Sequence, residues 1–127
     1  SVLINEYKSI TNFKEAIKCY KQCLRYNPDH IITYFNIGSV YQDINEIYNA
    51  TSSYKKVLEI DPTHFGALFN LAVIYNDKKK YNKAIYYYKK SLEINPQDVS
   101  IHYNLGIIYY NLCKYNLSIK YSNLQLI

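Results

Sequence analysis

The chain contains little glycine, proline or cysteine, with three residues of each among its 127. So few helix breakers suit long helices with few, well-placed ends, and 49% hydrophobic residues are enough for a packed core. The odd cysteine count, at positions 19, 23 and 113, excludes a disulfide framework and favours a reducing compartment. We therefore expect an intracellular, cytoplasmic protein. No apolar run approaches ~18 residues, so we expect neither a membrane span nor a signal peptide.

Arginine is also scarce, since Arg25 is the one arginine among 15 basic residues. The net charge of +5 is carried by lysine, which lacks the planar guanidinium group that forms bidentate hydrogen bonds with bases and phosphates. This composition argues against dedicated nucleic-acid binding. A basic cluster at Lys78, Lys79 and Lys80 is either a solvated surface or a contact with an acidic partner or lipid headgroups.

Patterns that carry catalysis or bind metals are missing too. No glycine-rich phosphate loop is present, and Cys19 and Cys23 supply two thiols where a zinc site needs four ligands. His30, His64 and His102 have no nucleophile or carboxylate placed to act with them, so we read them as structural or exposed. We expect a protein that is not an enzyme and has no cofactor.

What the sequence does contain is a 34-residue period, which is typical of repeat architectures. Prolines at positions 28, 62 and 96 each end a similar five-residue segment, for example residues 58–62 and 92–96. The same period links four further columns of residues. They are Asn36, Asn70 and Asn104; Tyr41, Tyr75 and Tyr109; Ala16, Ala50 and Ala84; and Tyr20, Tyr54 and Tyr88.

Each period indicates two helices, because apolar residues recur at helical spacing twice within it. Small residues at Gly38, Ala72 and Gly106 allow the two helix axes to approach closely, and tyrosine rings fill the gaps. Proline ends each second helix, and Asp29, Thr63 and Asp98 are the expected caps of the helices that follow. The predicted first helices are 1–10, 32–44, 66–78 and 100–112. The predicted second helices are 14–26, 48–60, 82–94 and 116–127.

The period and the Asn-Leu-Gly…Tyr…Ala…Tyr…Pro pattern resemble the tetratricopeptide repeat (TPR) family. The resemblance implies an all-α solenoid of stacked antiparallel helical hairpins, wound as a right-handed superhelix with the first helices on the concave side. It divides a single array over residues 1–127 into a partial repeat at 1–30, full repeats at 31–64 and 65–98, and a nearly full repeat at 99–127.

The chain departs from the family at the turn between the two helices, where glycine is usual. The matching residues are Thr11, Asn45, Lys79 and Cys113, of which asparagine best tolerates a left-handed backbone. We expect these turns to be strained or loose.

The two ends of the array also differ from the family. Ser118 and Ser122 replace alanine and tyrosine, and Leu124, Leu126 and Ile127 need cover. The chain starts inside a helical pattern without methionine, so we expect a piece of a longer protein. If no further chain covers the last helix, we expect end-to-end self-association.

The first helices carry a second stripe of residues beside the stripe that faces the core. It contains no lysine or arginine and mixes amides, aromatics and aliphatics, whereas a solvated face is normally charged. A column of carboxamides can pair with both the C=O and the N–H of an extended backbone, and the aromatics would add apolar contact. The candidate peptide-binding residues are Asn36, Asn70, Asn104, Phe35, Phe69, Tyr103, Ser39, Val73, Ile107, Asp43 and Asp77.

We predict a protein–protein interaction scaffold that binds an extended peptide or partner segment in the concave groove. Related asparagine columns occur in the repeat domains of O-GlcNAc transferase and of the peroxisomal import receptor, as the resemblance implies. The same column also makes hydrogen bonds between helices in the family, so a purely structural role stays open. Two alternative functions stay open as well. One is the targeting or regulatory domain of a larger enzyme such as an O-GlcNAc transferase, phosphatase or prolyl isomerase. The other is an architectural segment of a multiprotein assembly.

Overall fold

A computed structural model describes residues 2–123, with side chains from residue 11 onward. That part of the chain consists of seven α-helices joined by short turns, without any strand. The helices are α1 (Val2–Tyr26), α2 (Ile31–Asp43), α3 (Ile47–Ile60), α4 (Phe65–Asp77), α5 (Tyr81–Ile94), α6 (Val99–Asn111) and α7 (Tyr115–Asn123). The all-α helical-repeat fold is confirmed. The end of the predicted helix 116–127, with Leu124, Leu126 and Ile127, lies outside the described residues.

Helices α2 to α7 each begin one residue before their predicted start. Asp98 caps α6 as predicted, because its side chain accepts a hydrogen bond from the Ile101 amide at 3.0 Å. The other two predicted caps, Asp29 and Thr63, are wrong by one residue. His30 is the N-cap of α2, and the Nδ1 atom of His64 accepts from the Ala67 amide at 3.1 Å. The cap column is therefore 30, 64 and 98.

The turns between paired helices hold the left-handed conformation expected from the family. Asn45, Lys79 and Cys113 have φ angles of 61°, 59° and 59°. Residues other than glycine and asparagine occupy this region at a steric cost. Of the two outcomes expected for these turns, strained or loose, the positive φ angles of Lys79 and Cys113 correspond to the strained one. Each turn is closed by backbone bonds, such as Glu46 N–H to Tyr41 O at 2.8 Å.

The predicted hairpin of helices 1–10 and 14–26 is wrong, because α1 runs without a break from Val2 to Tyr26. Thr11 stands in the turn column, and a β-branched residue strongly disfavours the positive φ that this turn needs. Residue 4 is isoleucine in the column of Gly38, where a Cβ atom would already lie 2.7 Å from the Tyr54 ring. A hairpin closed over an isoleucine there would be overpacked.

The chain forms two compact units, Ser1–Ala67 and Leu68–Ile127. In the first unit, α3 buries three side chains completely on the side that packs against α2: Ala50, Tyr54 and Val57. In the second unit, α5 buries the matching Ala84, Tyr88 and Ser91, and α6 buries four apolar residues: Ile101, Leu105, Ile108 and Tyr109. The predicted packing of a tyrosine ring beside a small residue is confirmed in the first unit, where a Cβ atom at Gly38 would lie 2.7 Å from the Tyr54 ring. In the second unit, Gly106 instead faces Ser122.

Candidate functional site

The predicted binding stripe is separate from the core in each unit, because none of its eleven side chains is fully buried. In the first unit, Phe35, Asn36 and Ser39 are half-buried on α2, and Asp43 is exposed at the last position of that helix. Their neighbour Ile37 is 4% exposed and belongs to the core. The 3.6-residue period thus places accessible and buried residues of α2 on different sides.

The second unit shows the same division on α4 and α6. Phe69, Asn70 and Val73 are half-buried on α4, and Asp77 is exposed at its last position. On α6, Asn104 is half-buried between two exposed apolar residues, Tyr103 and Ile107. The seven predicted residues of this unit therefore lie on accessible sides of two first helices.

The Tyr88 hydroxyl links three helices of the second unit. Tyr88 is 1% exposed on α5, and its oxygen accepts a hydrogen bond from Asn104 Nδ2 of α6 at 3.1 Å. The Asn76 side chain of α4 also hydrogen bonds to this oxygen. Burial raises the pKa of Tyr88 above 10, the two asparagine bonds lower it in part, and the nearby Asp77 carboxylate raises it. Asn104 therefore has one amide hydrogen committed to the scaffold, while its Oδ1 and second N–H can still bond elsewhere.

The first unit has a related but not identical arrangement. The Tyr54 hydroxyl donates to Gln42 Oε1 at 2.8 Å, and Gln42 stands in the column of Asn76. The Phe35 ring packs 5.6 Å from the Tyr54 ring and 5.1 Å from the His64 ring, between centroids. A Cβ atom at Gly66 would lie 2.9 Å from Phe35, so glycine makes room for this ring. Phe35 thus packs as a wedge between neighbouring repeats, so at least part of this candidate binding residue has a structural role.

Two stripe residues of α6, Tyr103 and Ile107, form an accessible apolar row together with Tyr110. Tyr103, Ile107 and Tyr110 are 56%, 40% and 62% exposed, and they recur at helical spacing on one side of the helix. The Tyr110 ring meets the Tyr115 ring of α7 at 5.6 Å between centroids. Exposed apolar side chains in a contiguous row commonly mark interaction sites. This row flanks Asn104, and we refer to Tyr103, Ile107 and Tyr110 as the α6 row.

The sequence did not predict two hydrogen bonds of the core tyrosines, namely the bond of Tyr88 with the stripe residue Asn104 and the bond of Tyr54 with Gln42. The tyrosine column and the amide columns were visible at the 34-residue period. The period alone does not reveal which columns meet, because that depends on how the helices pack.

The cysteines and histidines, which the sequence analysis set aside as catalytic or metal-binding residues, are not members of this stripe. Cys19, Cys23 and Cys113 are unpaired and exposed, and no cluster of three or more His, Cys, Asp or Glu suited to a metal occurs in the described part of the chain. His102 is buried, and its Nε2 bonds to the Pro96 carbonyl at 2.7 Å. His64 caps a helix, so both histidines have structural roles.

A surface cavity of about 520 Å³ lies at the start of α5, away from the stripe. Its lining includes Lys79, Lys80 and Lys83, so it overlaps the basic cluster that the sequence showed at residues 78–80. Lys83 Nζ also lies 5.2 Å from the centre of the Tyr75 ring, which is a cation–π contact. Three of its six lining residues are lysines, so the cavity fits a solvated lysine surface as well as an anionic contact.

No helix within the described residues is long and apolar enough to cross a membrane.

Paired helices in a 34-residue period, with small residues and tyrosines between them, define a helical-repeat scaffold. Matches to three family models identify the family of this scaffold. One described as TPR repeat matches residues 5–45 and 73–112, and two described as tetratricopeptide repeat match residues 31–64 and 53–86. The chain belongs to the tetratricopeptide repeat family, whose members are protein-interaction scaffolds. A comparison with curated protein sequences finds no match.

Solved structures of TPR proteins are similar to this chain in fold. A double mutant of MamA (RS-1) has a TM-score of 0.78 at 17% identity, covering 91% of this chain and 65% of its own. MamA from Desulfovibrio magneticus RS-1 has a TM-score of 0.77 at 17% identity, with coverage of 91% and 66%. YrrB, described as "a TPR protein with an unusual peptide-binding site", has a TM-score of 0.72 at 24% identity, with coverage of 80% and 53%. The chain thus spans less than two thirds of the length of each.

Proposed function

We propose that this chain binds an extended peptide segment of a partner protein on the accessible sides of its first helices. The observation that supports this most directly is the α6 row, whose three apolar side chains are 40–62% exposed beside a half-buried asparagine. A row of this kind gains free energy when a ligand covers it, about 25 cal/mol per Å² of apolar surface removed from water.

The polar part of the site would come from the asparagines of the same unit. Asn104 offers an acceptor oxygen and a second N–H beyond the bond to Tyr88, so it can pair with a peptide backbone. Each such bond contributes only about 0.5–1.5 kcal/mol net, so the apolar contacts of Tyr103 and Ile107 must supply much of the affinity. Binding in the micromolar range, about −8 kcal/mol, is the expected outcome.

The carboxylates give the ligand a preferred charge. Asp77 is exposed at the end of α4, and no lysine or arginine occurs among the predicted site residues of this unit. A carboxylate at a helix C-terminus is disfavoured by the helix dipole, so its presence there fits a cationic group of a ligand. We therefore expect basic or neutral peptides to bind better than acidic ones.

Similar proteins add limited support. The description of YrrB names a peptide-binding site on a TPR protein, and the proposal extends that property to this chain. The same site would serve equally if the chain is the targeting segment of a larger enzyme. Among residues 11–123, whose side chains the structure describes, no observation favours the architectural alternative over peptide binding.

The test is an unbiased peptide-array screen followed by fluorescence anisotropy with the strongest peptide. Tyr103→Ala should weaken binding about 5–30-fold, the effect of losing one interface hot spot. Tyr86→Ala on α5 is a matched control, because Tyr86 is also 56% exposed but lies on a second helix. Equal losses in both variants, or no loss in Tyr103→Ala, would refute the proposed surface.

A further inference from the structure

Four cationic side chains form a row along α1. They are Lys14, Lys18, Lys21 and Arg25, and all four are exposed. Successive members are separated by four, three and four positions, so at about 100° per residue they lie within about 60° of one another around the helix axis. At about 1.5 Å per residue the row is about 16 Å long. We call these four residues the α1 basic row.

The equivalent columns of the other second helices are not basic. They are found by moving 34 and then 68 positions along the chain, to Tyr48, Ser52, Lys55 and Glu59 on α3 and to Asn82, Tyr86, Lys89 and Glu93 on α5. Each of these sets contains one lysine and one glutamate, so its formal charge is zero, whereas the α1 basic row carries four positive charges.

The clearest difference between the helices is the loss of a lysine–glutamate pair. On α3 and α5 a lysine Nζ lies near a carboxylate oxygen three residues later, with distances of 3.2 Å for Lys56–Glu59 and 4.0 Å for Lys90–Glu93. The same two columns of α1 contain Gln22 and Arg25, so a cation replaces the carboxylate. The salt bridges found within residues 11–123 do not involve the α1 basic row.

The exposure of the row is a property of the repeat and does not depend on the position of α1 in the chain. Both α3 and α5 are preceded and followed by other helices. All eight side chains in the matching columns of α3 and α5 are nevertheless exposed. These columns therefore face solvent on every second helix in which they can be compared.

The charge of the row favours an acidic ligand. Like charges four residues apart on a helix repel one another and destabilise it, and an anionic partner removes that repulsion. This preference is opposite to that of the peptide site proposed above, where Asp77 favours a cationic ligand. The row therefore suits a second partner, bound at a different helix.

We propose that the α1 basic row binds an acidic helix of a partner protein, with carboxylates at positions i, i+4, i+7 and i+11. The spacing of four, three and four is the same in both directions, so four carboxylates face four cations whether the helices run parallel or antiparallel. An extended segment places same-side carboxylates about 6.8 Å apart, so only three fit within about 16 Å. A cavity of about 350 Å³ along the row, lined also by Ile17 and Gln22, gives room for glutamate side chains.

A lipid surface and a nucleic acid fit the row less well. A helix that lies on a membrane buries exposed apolar residues beside its cations, and the apolar residue that lines this cavity, Ile17, is 8% exposed. Arginine binds phosphate in a bidentate geometry, and Arg25 is the one arginine among the four cations.

The first experiment titrates the full chain against a labelled alanine-based helical peptide that carries four glutamates at the proposed spacing. Fluorescence anisotropy is measured in about 100 mM NaCl, where charges more than about 10 Å apart are largely screened. Lys21→Glu should weaken binding about 3–20-fold, because it removes one exposed ion pair and adds a repulsion. Absence of saturable binding by the parent chain would overturn the proposal.

The matched control is Lys55→Glu on α3. Lys55 occupies the column of Lys21, is also exposed, and its substitution changes the net charge by the same amount. This variant should bind the peptide within about 2-fold of the parent chain, since residue 55 lies outside the row. Equal losses in Lys21→Glu and Lys55→Glu would refute a localised site, because net charge alone would then explain the binding.

The second experiment copies the lysine–glutamate pair of α3 into α1, in the double variant Gln22→Lys with Arg25→Glu. The midpoint of thermal unfolding should not fall, because the same pair occurs on α3 and α5, whereas peptide binding should weaken. Unchanged binding in this folded variant would contradict a role for the row.

The third experiment decides the class of partner. A peptide whose four glutamates are distributed around the helix should bind more weakly than the matched peptide, and equal binding would refute the proposed spacing. Duplex DNA and phosphatidylserine vesicles are tested with Lys21→Glu and Lys55→Glu in parallel. Binding to either that is tighter than to the peptide and depends on Lys21 would overturn the acidic helix as the ligand, whereas weaker or Lys21-independent binding supports it.

Discussion

Removing one buried hydroxyl, in Tyr88→Phe, should destabilise the second unit. The ring keeps its contact with Phe69, whose centroid lies 6.0 Å away, so the loss is confined to the hydroxyl group. Asn104 and Asn76 each lose one hydrogen bond, and each bond contributes about 0.5–1.5 kcal/mol. Both amides are half-buried, so water recovers part of the loss, and we expect a net cost of about 1–1.5 kcal/mol.

This cost converts into a measurable temperature shift. Unfolding entropy is about 2.1 cal/mol/K per residue, or about 0.27 kcal/mol/K for 127 residues, so the midpoint should fall by about 4–6 °C. The assay is thermal unfolding followed by circular dichroism, with Tyr86→Phe as a control that removes an exposed hydroxyl and should shift the midpoint little.

A double-mutant cycle decides whether the bond itself is responsible. Asn104→Ala and Tyr88→Phe should cost less together than the sum of the single changes, by about 0.5 kcal/mol or more, because they remove the same bond. Strictly additive costs, or an unchanged midpoint in Tyr88→Phe, would refute the link between α5 and α6 through this hydroxyl.

Three further predictions follow from the same geometry. Asn70→Ala should weaken peptide binding in fluorescence anisotropy without a large fall in the unfolding midpoint; a fall of several degrees with unchanged binding would make the asparagine column structural. Asp98→Ala should cost about 1 kcal/mol in urea unfolding through loss of the α6 cap, whereas Asp29→Ala should cost less than about 0.5 kcal/mol. Because burial raises the pKa of Tyr88 above 10, neutral Tyr88 stabilises the fold below pH 10, and this contribution is lost as the pH rises through the folded-state pKa. The stability difference between the parent chain and Tyr88→Phe should therefore shrink in alkaline urea titrations, and a constant difference would contradict it.

The sequence predicted six helix starts to within one residue because the proline and tyrosine columns repeat without insertions. It failed at α1, where the 34-residue count suggested a hairpin but the individual residues do not allow one. Thr11 and Ile4 were both visible, yet their effect depends on the φ angle of the turn and on the ring position at Tyr54. The repeat pattern sets the expectation, and local sterics override it.

The sequence predicted which residues of the first helices form the candidate site, but it did not predict the hydrogen bonds that these residues make. Periodicity assigns Asn104 to the accessible side of α6 and Tyr88 to the core side of α5, which suggests no contact between them. The hydroxyl lies at the far end of a long side chain, so a buried ring can reach an amide on a neighbouring helix. Predicting that contact requires the packing of α5 against α6, which a single sequence does not provide.

The hydrogen bond between Asn104 and the Tyr88 hydroxyl does not compete with ligand binding, because it uses only one of the two amide hydrogens. It also fixes the direction in which the second amide hydrogen and the Oδ1 atom of Asn104 point. A carboxamide held in this way loses less conformational freedom when a peptide binds. Tyr88→Phe should therefore also weaken peptide binding, by about 2–5-fold, the equivalent of about 0.5–1 kcal/mol of side-chain ordering. Tyr88 is 1% exposed and does not reach a ligand itself. The control is Tyr109→Phe, which removes the hydroxyl of another buried tyrosine, one bonded to Lys89 instead. If both variants bind the peptide as the parent chain does, Asn104 either needs no positioning or takes no part in binding, and Asn104→Ala separates the two cases.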